Sequence, residues 1–308
     1  MTTPPATAVI VTYQSARTIG RALAAARRCR DAQLLDTVVV DNHSTDATRE
    51  ILAREAAWAR VVLADRNHGF GRGCNLGFAH VATPYTMFLN PDAVLEPAAL
   101  RTMLDFMERT PAAGIAGPAI VCGDEEVSAL QHTGPCPTPW TMLRDATPFL
   151  RRRSALVAIV PGSPPMRTGW INGAALMIRT ALMRELGGFD PRFFLYWEET
   201  DLCKRVLDRG FEIWALGAAL AHHVVGESSR SAPRRMGRVL ARHYFESRYY
   251  YMAKHYGCAL ATLAELAEFA LQAIDSLADA ARGRSSGRLR PRLQAPLLSM
   301  PARFSDER

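Results

Sequence analysis

The stretch TVVVDNHSTDAT, residues 37–48, decides the fold. Thr37 and three consecutive valines run without a polar break, and Asp41 closes them. A strand covered on both faces reads as such a continuous run, whereas a strand with one wet face alternates. DNHSTD is turn chemistry, and Asp46 stands where a helix N-cap is wanted. Working outward, AVIVTY (8–13) is another apolar run, and a helical stretch at 16–30 follows it. A helix fits 46–57, RVVLA (60–64) is a third short strand, and YTMFL (85–89) a fourth that ends in NPDA. A helix at 96–109 carries Pro97 in its first turn. Strands alternating with helices of this length specify βαβ units and a mostly parallel central sheet flanked by helices. The fold class is α/β.

Residues 123–170 are irregular and proline-rich, and they include the triplet Arg151–Arg153. Periodicity resumes over 170–186, passes a GGFD turn, and reaches YWEETDLCKRVLDRG, an acidic segment that opens a helix. From 236 to about 281 the chain reads as helical. Positions 260, 263, 267, 271, 274 and 277 form an apolar stripe there, with Glu265, Glu268, Asp275 and Asp279 opposite. The last stretch, 282–308, is rich in Arg and Pro and reads as disordered.

The 308 residues are 48% hydrophobic and 22% charged, which excludes wholesale disorder, collagen and low-complexity classes. No stretch reaches the roughly 18 apolar residues of a membrane-spanning helix, and the N-terminus does not read as a secretion signal. The six cysteines include no CxxC pair, so they read as reduced thiols of a cytosolic protein rather than a disulfide frame or zinc site. The net charge of +7, from 37 Lys+Arg against 30 Asp+Glu, favours anionic partners: nucleotides, diphosphates, acidic membranes or nucleic acid. Arginines cluster at 17–30, 144–153, 230–248 and 282–292.

Asp41 and Asp92 each follow a strand, and ligands of open α/β sheets collect at the carboxyl ends of strands. The same residue types also serve turns and caps. NHGFGRGCNLGF (67–78) is glycine-rich, and Gly69, Gly71 and Gly73 invite a dinucleotide reading. That reading fails, because the first strand leads into TYQSART with no glycine at the turn. YWEETDLCKR puts Glu198, Glu199 and Asp201 at a helix start, where part of the charge is capping. Three carboxylates in four residues exceed what capping needs. Like charges raise one another's pKa, which suits a general base. His222 and His223 end an apolar run, and either, with Asp92, completes an oxygen/nitrogen metal site.

Seven pieces in order, VIVTYQS, VVVDNHSTDAT, NHGFGRGCNLGF, FLNPDA, WINGAALMIR, GGFDPRFFLYWEETDLCKR and HHVVGESS, give the chain a resemblance over about 5–256. It resembles the family 2 inverting glycosyltransferases of the GT-A fold, in particular the rhamnosyltransferase-like members of bacterial cell-surface polysaccharide synthesis. The resemblance implies a GT-A catalytic domain at 1–228, with a nucleotide-binding half at about 5–122 and an acceptor half at about 168–228. A C-terminal helical extension at 229–281 and the basic tail 282–308 would follow. It implies that Thr12 and Asp41 line the nucleobase pocket, that Asn67, Gly69 and Asn75 surround the nucleotide, and that Asn90 faces the ribose or donor sugar. Asp92 would ligate Mg²⁺ or Mn²⁺ together with His223, which fits the H-x-x-G-x-S pattern better than His222. Glu199 would deprotonate the acceptor hydroxyl while Glu198 orients the site or contacts the acceptor. Trp197, Asp201, Arg242 and Arg248 are assigned to acceptor or phosphate contact. Gln14 stands where the family's first strand ends in Asn.

The implied partners are a dTDP- or UDP-linked sugar, with L-rhamnose as the sugar that suits the subgroup, and a glycan or lipid-diphosphate-linked acceptor. Nucleic acid is not an implied partner. The implied location is cytoplasmic, with peripheral contact to an anionic inner membrane face carried by Arg282, Arg284, Arg288, Arg290 and Arg292 and by the 230–248 cluster. The helix at 260–277 is assigned to packing on the catalytic domain or to a homodimer contact. Two other readings compete: a nucleotidyltransferase, and a catalytically silent sugar- or nucleic-acid-binding protein on the same fold.

Overall fold

The computed structural model describes residues 3–122, 129–147, 156–223, 237–283 and 289–301. Arg151–Arg153, Arg230, Arg234, Arg235, Arg284, Arg288 and the end of the HHVVGESS motif lie outside the described residues, as does the side chain of Arg290. The chain divides into two compact units: Met1–Pro135, Leu156–Asp190 and Glu199–Gly226 form one, and Cys136–Ala155, Pro191–Glu198 and Glu227–Arg308 the other.

The first unit is built on one large sheet. Its strands are β1 (Ala6–Thr12), β2 (Leu35–Asp41), β3 (Arg60–Leu63), β4 (Tyr85–Leu89), β5 (Ala93–Leu95), β6 (Ala113–Cys122), β7 (Ala129–Leu130), β10 (Met166–Thr168), β11 (Ala175–Arg179) and β12 (Glu212–His223). A small separate ladder pairs β8 (His132–Thr133) with β9 (Val157–Ala158). The strand order is β10-β12-β6-β11-β4-β1-β2-β3, with β5 on β12 and β7 on β6. Strands β3, β2, β1 and β4 are all parallel, as the sequence pattern requires. Beyond β4 the sheet turns mixed, because β11 enters antiparallel between β4 and β6. The short ladders within 123–170 escape a periodicity reading, since two-residue strands show no period.

Strand alternation sorts the core into two layers. Ala8 and Ile10 point to one face, against Ile19 and Leu23 of α1 (Ile19–Asp31) and Leu100 and Met103 of α4 (Pro97–Arg109). Val9 and Val11 point to the other, with Cys74 of α3 (Phe70–Phe78) and Leu202 and Val206 of α7 (Glu198–Asp208). Two shorter helices, α2 (Thr48–Glu55) and α6 (Thr180–Glu185), complete the layers. The glycines of α3 serve this packing. A Cβ on Gly77 would meet Val9 Cγ1 at 2.5 Å, and one on Gly73 would meet Val11 Cγ1 at 2.8 Å. The glycine-rich segment thus brings a helix close to the sheet.

The second unit is helical: α5 (Pro139–Ala146), α8 (Arg238–Tyr256), α9 (Cys258–Ala281) and α10 (Leu289–Leu293). Its core holds Met142, Phe193, Tyr249, Tyr250, Tyr251, Met252 and Ala261. Gly257, at φ +88°, separates α8 from α9, so the helical stretch is two helices. One expectation is corrected here. The segment after 281 is not structureless throughout, because α10 forms and Arg292 is buried. On α9 the side that turns inward is the acidic one: Glu265 and Glu268 are buried while Leu260, Leu263, Ile274 and Leu277 are exposed. The cause is an ion cluster. Arg248 Nε donates to Glu265 Oε1 (3.0 Å), its second amino group reaches Glu268, and Arg292 donates to Glu265 Oε2 (2.9 Å). Buried carboxylates with cationic partners hold the acidic side of the helix inward. Among the described residues no helix is long and apolar enough to cross a membrane.

Candidate active site

The site is built where the parallel strands end. Thr12 and Asp41 are register partners at the carboxyl ends of β1 and β2. Asp41 is fully buried; it accepts from the Ser44 N–H (3.1 Å) and from Arg49 Nε (2.6 Å). Thr12 Oγ1 is buried with no hydrogen-bond partner. A buried hydroxyl left unmatched beside an oriented carboxylate is a place where a ligand polar group would be welcome.

Two residues to which the sequence reading gave no role shape the surrounding loops. Asn42 Nδ2 donates to Asn67 Oδ1 and to the Gly69 carbonyl, both at 2.9 Å, while its Oδ1 accepts from the His68 N–H (3.0 Å). Gly69 itself sits at φ +81°, the left-handed region that glycine enters without penalty. Asn67 also accepts from the Gly69 N–H, so Asn67 shapes this loop. Gln14, at φ 52°, accepts from the Thr45 and Asp46 N–H groups (3.1 and 3.0 Å) and clamps the turn after β2. Asp46 accepts from the Ala16 N–H (3.1 Å) as well as from Thr48, so it joins two turns besides supporting the start of α2. The signal for Asn42 was present: it directly follows a strand, inside a run of turn formers.

Asn90, Pro91 and Asp92 lie between β4 and β5. The Asn90 N–H donates to the Ala174 carbonyl (3.0 Å), tying this turn to the segment that leads into β11. β12 pairs antiparallel with β5, setting His223 opposite Ala93. His223 Nε2 then lies 2.8 Å from Asp92 Oδ1, and both side chains are buried. His222 points to the other face of the strand and is exposed. Alternation along β12 therefore separates the two histidines. Among the described residues no cluster of three or more His, Cys, Asp or Glu groups forms a metal cage. Asp92 and His223 supply one oxygen and one nitrogen donor, a set that would suit a divalent cation if a ligand's own oxygens completed it.

Glu199 is the second residue of α7, beside the same turn. Its Cβ lies 3.7 Å from the position a Cβ would take on Gly173, one residue from Ala174. Burial pushes the Glu199 carboxyl up to about 7, against the downward pull of its own N–H and that of Thr200. Just upstream, Tyr196 and Trp197 both adopt left-handed backbone, at φ 68° and 71°. Each such residue stores on the order of 1–3 kcal/mol, and this kind of strain concentrates at functional sites. Trp197 packs against Tyr244 and Tyr251, with ring centroids 5.9 and 5.2 Å away. Glu198 is buried more deeply than Glu199.

Three assigned residues make contacts within the protein. Asn75 Nδ2 donates to the Phe189 carbonyl (2.8 Å) and its Oδ1 accepts from the Phe189 N–H (2.9 Å), so it pins a turn. Asp201 is fully buried and accepts from Arg205 Nε (2.8 Å); Arg205 in turn donates to the Leu186 and Gly188 carbonyls. Arg248 is engaged by Glu265 and Glu268, which leaves its guanidinium to the core and not to a phosphate. Arg242 remains at the surface, paired with Glu246 at 2.8 Å.

Residues 7–170 match the profile of Glycosyl transferase family 2. The chain belongs to that family. As a family 2 member with a GT-A sheet, it is a glycosyltransferase, which sets aside the nucleotidyltransferase reading. It is 27% identical over 239 residues to N-acetylglucosaminyl-diphospho-decaprenol L-rhamnosyltransferase of Mycobacterium tuberculosis (strain ATCC 25618 / H37Rv), covering 72% of this chain and 77% of the relative. Among solved structures, S. aureus TarS 1-349 in complex with UDP-GlcNAc aligns with a TM-score of 0.52 at 16% identity, over 87% of this chain and 70% of that one. GalNAc-T7 with UDP, GalNAc and Mn²⁺ aligns with a TM-score of 0.53 at 16% identity, over 71% of this chain. This chain spans 43% of the solved GalNAc-T7 chain.

Proposed function

We propose that this family 2 enzyme transfers a sugar, with inversion, from a nucleoside diphosphate to a hydroxyl of a glycan or lipid-diphosphate-linked acceptor in polysaccharide synthesis. The observation that carries the reading is the convergence of a base and a cation pair on one turn. Asn90 bonds to Ala174, Gly173 abuts Glu199, and Asp92 touches His223. A carboxyl held near 7 matches the working range of a general base at neutral pH. Glu199 takes the proton from the acceptor hydroxyl, whose oxygen attacks the anomeric carbon. The bond from that carbon to the diphosphate breaks, and the nucleoside diphosphate leaves with both bonding electrons. Asp92 and His223 would hold Mg²⁺ or Mn²⁺, which would neutralise the charge gathering on the diphosphate. Thr12 and Asp41 would receive the nucleobase, and Asn90 the ribose or donor sugar. Trp197 and Arg242 are assigned to the acceptor, and Glu198 to orienting the site.

The donor we favour is dTDP-L-rhamnose, with a lipid-linked diphosphate as acceptor, because the mycobacterial relative is named for rhamnosyl transfer to such a lipid. We place the work at the cytoplasmic face of a membrane. Arg292 is withdrawn from the membrane contact proposed for the basic C-terminal segment, because it is buried against Glu265. The test is a panel of dTDP- and UDP-sugars with a polyprenyl-diphosphate acceptor, read by mass spectrometry of products. Transfer with inversion from dTDP-L-rhamnose supports the reading. Transfer only from another donor overturns the choice of sugar, and transfer undiminished in EDTA overturns the cation pair.

A further inference from the structure

The outward side of α9 carries a pattern that the catalytic reading does not use. Leu263 is 65% exposed, Leu266 46%, Ile274 63% and Leu277 71%, and the small Ala270 lies at the middle of the row. These residues recur at spacings of 3 and 4, so they share one stripe of the helix. Every ionisable carboxylate of α9, namely Glu265, Glu268, Asp275 and Asp279, lies on the opposite side. The stripe is also a palindrome. Counted outward from Ala270, Leu266 is mirrored by Ile274 and Leu263 by Leu277.

We infer that this stripe binds a second copy of the chain, the two α9 helices lying antiparallel about a two-fold axis at Ala270. A two-fold interface requires the same patch on both subunits, with residue i meeting j and j meeting i. The palindrome satisfies that condition: Leu263 meets Leu277, Leu266 meets Ile274, and the paired alanines let the helices approach closely. No charge lies on the stripe to repel its copy. A bilayer is the poorer occupant, because surface-lying helices carry Lys and Arg on their polar side, and α9 has no Lys, Arg or His. The 24 residues span about 36 Å, and a stripe about 10 Å wide then contributes on the order of 400 Å² per subunit. That is below the roughly 800 Å² per partner of a standard stable pair, so the dimer is a weak one that depends on concentration.

Sedimentation equilibrium of the full chain from about 1 to 100 μM tests the association. The expected result is a monomer–dimer equilibrium that Leu263→Glu with Leu277→Glu abolishes while the thermal unfolding temperature holds. Orientation is read by cross-linking with a short bis-maleimide. Ala270→Cys should link to its copy. The exposed Cys258 should not, since antiparallel packing sets the two copies of it at opposite ends of the pair. A monomer at every concentration, or a dimer indifferent to both glutamates, overturns the inference. A Cys258–Cys258 link overturns the antiparallel arrangement. Vesicles of phosphatidylglycerol and phosphatidylcholine form the last arm. Binding that the two glutamates abolish, in a protein that stays monomeric, assigns the stripe to lipid and also overturns it.

Discussion

His223 lies 2.8 Å from Asp92, although 131 residues separate them in the chain. The contact arises because β12 runs antiparallel beside β5, so the end of one strand meets the turn that starts the other. In this arrangement neither side chain needs a large movement to share a cation.

The first prediction follows from that pair. Asp92→Asn should lower turnover by orders of magnitude with the fold intact, since an amide is a far poorer ligand for a hard cation. His223→Ala should raise the Mg²⁺ or Mn²⁺ concentration needed for half-maximal activity more than it lowers kcat at saturating metal. Metal titrations of both variants, beside circular dichroism, check this. His222→Ala should leave both curves unchanged, because His222 is exposed on the other face of β12.

Glu199 yields a pH dependence of definite sign. A base must be deprotonated to act, so kcat should rise with pH through about 7. Glu199→Gln should lower kcat by about 10²–10⁴-fold, keep donor binding, and remove that limb. Glu198→Gln should lose less. Stability should move the other way. A carboxyl whose folded pKa is raised binds its proton more tightly in the folded protein, so stability declines as pH rises from the ordinary carboxyl range through about 7. Glu199→Gln should therefore melt higher than the parent at pH 8 and similarly at pH 4. Melting curves at the two pH values decide it.

Thr12 offers a separation of binding from folding. Its buried hydroxyl has no partner within the protein, so Thr12→Val removes a group that folding leaves unmatched. Stability should stay level or rise slightly, while affinity for UDP or dTDP falls. Calorimetric titration with the free diphosphates, beside a melting curve, reads both quantities.

Arg248 should behave as a core residue. Arg248→Ala strands Glu265 and Glu268 in the interior, at a cost of about 3–5 kcal/mol. Denaturant unfolding should register the loss. A variant that instead keeps its stability and loses donor affinity would return Arg248 to the phosphate role.

Gly77→Ala should destabilise by about 1–3 kcal/mol, because the added Cβ falls 2.5 Å from Val9 Cγ1 at a tight helix–sheet contact. Pairing it with Val9→Ala should recover part of the loss, a coupling that a double-mutant cycle measures.

The parallel half of the sheet was legible because TVVV and AVIVTY are covered on both faces, and such strands announce themselves locally. The place of Asp92 in the turn after β4 was legible for the same reason. The contacts of Asn75 and Arg248 were not. Asn75 bonds a backbone 114 residues away, and Arg248 finds carboxylates 17 and 20 residues on. Helical periodicity correctly placed charge and hydrocarbon on opposite sides of α9. It carried no information about which side turns inward, because Arg248 and Arg292, supplied by other helices, decide that. Asn42 was overlooked beside Asp41 because its side chain acts on loop backbone, through bonds that leave no spacing pattern.

Tyr196 and Trp197 have a consequence for anyone who would make this enzyme sturdier. Glycine at either position would relax a backbone that a bulky side chain resists, but it would also remove a ring packed against Tyr244. The strain and the contact come together, so neither can be shed alone. Selection for thermal endurance would therefore find no easy gain at these two positions.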